Sequence, residues 1–209
     1  MTQTYAIPSV SKLLVSTGHL VANEDFSTTS KRVTDTALLI YNFCVGTPDA
    51  TRTMEAIARM NFLHSRFRKS GQVNNDAFLY TLSLFALEPT RWINKYDWRP
   101  VTDTERCAIG IFWMTVGQRM GISYEALPSC QDGWTSPLLW LDEIEVWSRG
   151  HEQRNVGPAA TNTTLALSTT ELMLFRFPQF FQPVIRNLVY VAMGPELREA
   201  MMCVCFSRP

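Results

Sequence analysis

The run Thr47-Pro-Asp-Ala-Thr-Arg-Thr-Met-Glu-Ala-Ile-Ala-Arg-Met-Asn-Phe-Leu-His64-Ser-Arg-Phe-Arg-Lys-Ser-Gly71 decides the fold class. Thr47 can cap a helix with its hydroxyl, and Pro48 suits the first helical position, where its missing N–H costs nothing. Asp49 then places a negative charge at the positive end of the helix dipole. Gly71 stands where a chain turns left-handed after a helix ends. Between them Met54, Ile57, Asn61, His64 and Arg68 recur at three- and four-residue spacing and so share one face. The pattern predicts a helix from 47 to about 69.

Outward from this run the same grammar repeats. Thr102-Asp-Thr-Glu105 is a capping box, opening a helix that runs to about Met120 with Gly121 beyond. Ser136-Pro137 opens another, with Leu138, Leu141, Ile144 and Trp147 on one side and a stop near Gly150. Segments around 30–45, 76–95, 163–176, 180–193 and 195–205 also read as helices, and the polar stretch from Ser148 to Thr161 reads as a loop. No alternating run bounded by a hairpin turn occurs, and no repeat recurs. The expectation is a mostly α-helical single domain spanning 1–209.

Composition narrows the function. The chain has 209 residues, 46% hydrophobic and 11% aromatic, which excludes intrinsic disorder. A chain of this size buries about 70% of its unfolded surface, enough for a core without disulfides or metal. Nineteen basic residues balance nineteen acidic ones, so no net charge draws it to nucleic acid or an anionic surface. Cys44, Cys107, Cys130, Cys203 and Cys205 are odd in number and form no Cys-x-x-Cys pair, so they read as small buried hydrophobes in a reducing compartment. The first ten residues lack the pattern of a signal peptide. The apolar stretch Ala77–Leu87 is about half of a membrane span.

Phosphate loops, dinucleotide fingerprints and nucleophile elbows are all missing. The histidines stand at 19, 64 and 151, with no metal-ligand spacing between them. His64 is the informative one, mid-helix among Met54, Ile57, Met60, Leu63 and Phe67. A single imidazole in an apolar slot suits one-sided ligation of a haem iron, and equally suits a hydrogen-bonded core histidine. Arg32 and Thr36 share a helical face, where a cation beside a hydroxyl can polarise bound dioxygen or hold a carboxylate. Asn162-Thr-Thr164 is a glycosylation sequon expected to go unused. The stretch Leu172–Met193, broken by two arginines and two prolines, reads as packed core or channel wall, with shallow membrane contact as the alternative.

Longer runs carry a resemblance. Ala58-Arg-Met-Asn-Phe-Leu-His64-Ser-Arg, the stretch Asn75 to Trp92, Tyr96-Asp-Trp-Arg-Pro-Val-Thr-Asp-Thr-Glu-Arg-Cys-Ala-Ile-Gly-Ile-Phe-Trp113 and Gly121 to Ser129 resemble the fungal mpaB-type oxygenases. Ile7 to Leu14, Ser30-Lys-Arg-Val-Thr-Asp-Thr36 and Leu197 to Met202 match as well. That family shares its catalytic domain with the rubber oxygenases. The resemblance implies an all-α fold holding haem b, and dioxygen used to split an isoprenoid carbon–carbon double bond. It makes His64 the axial iron ligand, Arg32 and Thr36 the distal oxygen-stabilising groups, and Arg68 a partner for a haem propionate.

Asp35 replaces the lysine that the rubber-cleaving branch carries before the threonine. Phe67 and Ala77-Phe78 stand where a tyrosine and an acidic–methionine pair are expected. The resemblance also implies relatives with an amino-terminal membrane anchor, which this sequence lacks. The expected protein is thus a haem-dependent oxygenase of fungal secondary metabolism, acting on a prenylated or otherwise hydrophobic small molecule. It would be cytoplasmic or peripheral at the endoplasmic reticulum (ER) membrane, with no nucleic acid and no obligate protein partner. A redox-inactive cyclase or isomerase on the same scaffold, or a non-catalytic helical partner protein, are the alternatives.

Overall fold

The computed structural model describes residues 2–17, 26–47 and 49–203. His19, Pro48 and Cys205 therefore lie outside the described residues. Ten α-helices are present there: α1 (Thr2–Tyr5), α2 (Pro8–Ser16), α3 (Phe26–Cys44), α4 (Thr51–Lys69), α5 (Asn75–Tyr96), α6 (Asp103–Arg119), α7 (Pro137–Asn155), α8 (Ala160–Leu174), α9 (Gln182–Ala192) and α10 (Pro195–Ala200). A short 3₁₀ turn covers Pro128–Cys130, and no strand occurs among the described residues. The fold is all-α.

Local signals set most of the ends. Thr102 Oγ1 accepts from the Glu105 backbone N–H while Glu105 Oε2 accepts from that of Thr102, so the capping box at α6 is complete. Ser136 Oγ accepts from Leu139 N–H at the start of α7, and Asn74 Oδ1 from Ala77 N–H at the start of α5. The helices α4 and α6 end alike. Gly71 and Gly121 take positive φ, and the next N–H in each case reaches back to the carbonyl of Phe67 or Gly117.

Two boundaries differ from the sequence expectation. Thr47 does not cap α4; its carbonyl accepts from Ala50 N–H in a turn, and the helix begins at Thr51 with no side-chain cap. Gly150 does not stop α7, which continues to Asn155 because His151 packs between the rings of Tyr80 and Trp147. Burial of that turn outweighs the weak helix propensity of one glycine. The expected loop from 148 shrinks accordingly. The short helices α1 and α2 had no expectation at all.

The described chain groups into two compact units, 1–36 with 154–209 and 37–153, the divisions falling inside α3 and α7. In the second, α5 is buried on several sides through Leu79, Tyr80, Leu82, Leu84, Ala86 and Leu87. Of these, Leu79, Leu82, Ala86 and Leu87 join Phe43, Ile57, Trp113, Val116, Trp140 and Ile144 in one apolar core. The helices α5 and α6 approach closely at Gly117, where an added Cβ would collide with Leu82 and the Tyr124 hydroxyl.

The first unit has a smaller core of Tyr5, Ala6, Leu165, Ala166, Ala200 and Met201. Its centre is polar. Asn162, fully buried, donates from Nδ2 to the carbonyls of Ala6 (3.4 Å), Gly157 (2.8 Å) and Ala200 (2.9 Å). One side chain thus ties α8 to α1, α10 and the preceding loop. The sequon asparagine is spent on the fold.

Candidate functional site

The inward face of α4 is Thr53, Ile57, Met60, Asn61, His64 and Arg68. It differs by one position from the expected face, since Met54 is exposed and Thr53 is buried in its place. Leu63 is exposed too, so the apolar surround of His64 comes from Phe78 on α5 as well as from α4 itself. Asn61 Nδ2 donates to Arg119 O at 2.9 Å, and Arg68 Nη1 donates to Gly121 O at 3.0 Å. Both satisfy carbonyls at the C-terminal end of α6, which have no partner within their own helix. His64 sits on α4 between these two clamps.

The His64 ring centroid lies 5.2 Å from that of Phe78, with the planes tilted by 52°. The Arg68 guanidinium lies over the same phenyl ring, 4.3 Å from its centroid. His64 Nδ1 is buried and has no hydrogen-bond partner among the described residues. Burial, with the nearby Arg68 charge second, holds the imidazole below its usual pKa and so favours its neutral form. A neutral imidazole is the form that ligates a metal. A buried ring nitrogen left without a partner costs free energy unless something outside the chain meets it. Both properties fit a metal ligand.

Arg32 and Thr36 belong to the other unit. Both are half-buried on one face of α3, while Lys31 and Asp35 pair at 3.9 Å on its solvent side. Arg32 has no ion-pair partner among the described residues. Burial pulls its pKa down, and the Tyr5 hydroxyl opposes the shift. Tyr5 is itself buried, is hydrogen-bonded to the side chain of Thr169, and has its own pKa raised by burial. Arg32 is therefore a guanidinium neutralised by no carboxylate, held beside a phenol, and able to meet an anion or a polarised oxygen.

Sequence reasoning missed several residues here. Tyr5, Phe78 and Gly121 touch the candidate residues from distant parts of the chain, and no local spacing announces them. His151 was passed over, yet it stacks between Tyr80 (5.1 Å) and Trp147 (5.0 Å), and the Tyr80 hydroxyl donates to Glu152 Oε1 at 3.0 Å. The four-residue step from Trp147 to His151 was the available clue.

Other expectations meet a plain outcome. Of the four described cysteines none is fully buried: Cys44 is exposed, and Cys107, Cys130 and Cys203 are intermediate. Three of them thus pack only partly. Nor is the stretch Leu172–Met193 packed core. Phe175, Phe177, Phe180, Phe181, Val184, Leu188 and Val191 are all exposed. No group of three or more His, Cys, Asp or Glu converges among the described residues, and no described helix is long and apolar enough to cross a membrane.

The chain belongs to the family described as ER-bound oxygenase mpaB/B′/rubber oxygenase, catalytic domain, whose model matches residues 4–203. By class it is an oxidoreductase of the oxygenase kind. It is 40% identical over 202 residues to the ER-bound oxygenase mpaB of Penicillium roqueforti (strain FM164), covering 97% of this chain and 67% of the relative. It is 38% identical over 200 residues to the ER-bound oxygenase mpaB′ of Penicillium brevicompactum, covering 96% of this chain and 47% of the relative. The mpaB of the same species is 40% identical over 172 residues, 82% of this chain and 43% of the relative. The chain thus spans between less than half and about two thirds of the length of these relatives. No solved structure matches it.

Proposed function

We propose that this chain is a haem-dependent oxygenase of fungal secondary metabolism. In this reading it uses dioxygen to cleave a carbon–carbon double bond in a prenylated, terpenoid or other hydrophobic intermediate. The observation that carries the reading is His64, a neutral imidazole whose buried Nδ1 has no partner, in a family of oxygenases.

His64 would hold haem b through its imidazole, and a bound haem would supply the iron that activates dioxygen. The rest is the work of side chains. Arg32 contributes a positive charge with no carboxylate to neutralise it, and Thr36, one turn along the same face, contributes a hydroxyl donor. Together they favour negative charge developing on oxygen. Arg68 keeps N–H donors beyond the one given to Gly121, enough to meet a propionate. The apolar surround excludes water and suits a prenyl chain, which is recognised by area more than by polar anchors.

The test is a hemin titration followed by a pyridine haemochrome assay. Wild type should take up hemin near one to one with a Soret band, and His64→Ala should not. Colourless wild-type protein would end the haem reading, and turnover by that protein without oxygen would favour a cyclase or isomerase.

We further propose that the exposed face Phe175–Val191 meets the ER membrane from one side. Its tips are phenyl and aliphatic groups with nothing to hydrogen-bond, and no acidic residue occurs from 172 to 195. The relatives are named ER-bound. Flotation with liposomes of ER composition should carry the wild type and leave a Phe180→Ser/Phe181→Ser variant behind. Wild type remaining entirely unbound would contradict this.

A further inference from the structure

We infer that Arg68 and Phe78 form a brace that fixes the ring plane of His64, making both of them positioning residues for the axial ligand. The inference rests on the proposed role of His64, and it assigns Arg68 a task other than a propionate clamp.

The argument starts from what is missing. A histidine that ligates a metal is held in orientation by a hydrogen bond from its other ring nitrogen to a carbonyl or carboxylate. His64 has no hydrogen bond to any described residue from either ring nitrogen, so whichever nitrogen meets the iron, the other is not held by one. Torsion about the Cβ–Cγ bond has broad minima, so the side chain's own rotamer leaves the ring plane loosely set. Packing must set it instead.

The packing partner is Phe78, 5.2 Å away and tilted by 52°. A phenyl ring fixes a neighbour only as well as it is fixed itself. Phe78 is held in turn by the Arg68 guanidinium, 4.3 Å from its ring centroid. Arg68 is in turn fixed by its bond to Gly121 O at 3.0 Å. Gly121 offers that carbonyl from the positive-φ turn that ends α6 (φ 65°), and an added Cβ there would stand 3.3 Å from Arg68 Nη1. The chain of support runs from a helix end, through a cation and a phenyl ring, to the imidazole. Arginine suits this post because a planar guanidinium stacks and donates in its own plane at once, and lysine cannot do both.

The experiment compares wild type with Phe78→Leu, Arg68→Lys and Phe78→Tyr. Three readouts are taken: the ¹H–¹³C signal of the His64 ring without haem, the hemin affinity, and the g-value spread of the cyanide-ligated ferric protein, which reports the imidazole plane. Phe78→Leu and Arg68→Lys should shift the ring signal, weaken hemin about 10-fold and change the g values. Phe78→Tyr, which keeps the ring, should match wild type. If both disruptive variants keep wild-type values, the brace is overturned while His64 remains the ligand. If wild type takes no hemin, the reading of His64 fails, and the ring signal of the haem-free variants alone decides the brace.

Discussion

Ser11 Oγ donates to Asn162 Oδ1 at 2.6 Å, and both residues are fully buried 151 positions apart in sequence. This bond completes the polar satisfaction of an amide whose Nδ2 already serves three carbonyl groups. Asn162→Ala removes the donor to the buried carbonyls of Gly157 and Ala200, whereas Ser11 keeps Pro8 O and Thr161 Oγ1 and the Ala6 carbonyl keeps Gly157 N–H. A loss of about 3 kcal/mol is expected, read from urea unfolding by circular dichroism. A variant within about 0.5 kcal/mol of wild type would show that the network contributes nothing.

Gly117 is where α5 and α6 come closest, and a methyl group there meets Leu82 and the Tyr124 hydroxyl, which itself donates to Met114 O at 2.8 Å. Gly117→Ala should destabilise by about 1–3 kcal/mol through overpacking, despite the better helix propensity of alanine. Thermal melting decides the sign. A raised melting temperature would mean that Tyr124 swings aside freely.

The depressed pKa of His64 makes stability depend on pH. The unfolded imidazole titrates near its ordinary value of about 6.5, and the folded one below it. Between the two values the unfolded chain binds more protons. The contribution is therefore complete above about pH 6.5 and is lost as the pH falls through that window. Urea midpoints measured from about pH 7.5 to 5 should fall more steeply for wild type than for His64→Gln. Parallel curves would mean that His64 is not held neutral.

Arg32→Ala removes the half-buried guanidinium beside Tyr5 and keeps His64 itself. Hemin uptake should persist while turnover drops about 10²-fold, the scale of other lost electrostatic stabilisers. Unchanged kinetics would take Arg32 out of the mechanism.

How far the sequence reaches can be seen at particular residues. Thr102, Glu105, Gly71 and Gly121 were legible because a cap is decided within four or five residues. Thr47 and Gly150 misled because the deciding contacts lie elsewhere: a local turn precedes α4, and two rings from different helices bury His151. Periodicity located the inward face of α4 but not its register near the start, where a small buried Thr53 looks polar and an exposed Met54 looks apolar. The positions of His64, Arg32 and Thr36 stood out through resemblance and spacing. The contacts of Phe78 with His64 and of Gly121 with Arg68 did not, because the first is made only by packing between helices and the second spans 53 residues.

The bonds of Asn162 also set an order of events in time. The unit made of 1–36 and 154–209 brings Ala6 and Ala200 to the same amide, so this set of bonds is complete only after Ala200 has been made. The stretch 37–153 is continuous and can condense while synthesis proceeds. The helices α1 and α2 must then wait for their partners until the stretch 37–153 and α8 have been made, and α10 supplies the last carbonyl of the set.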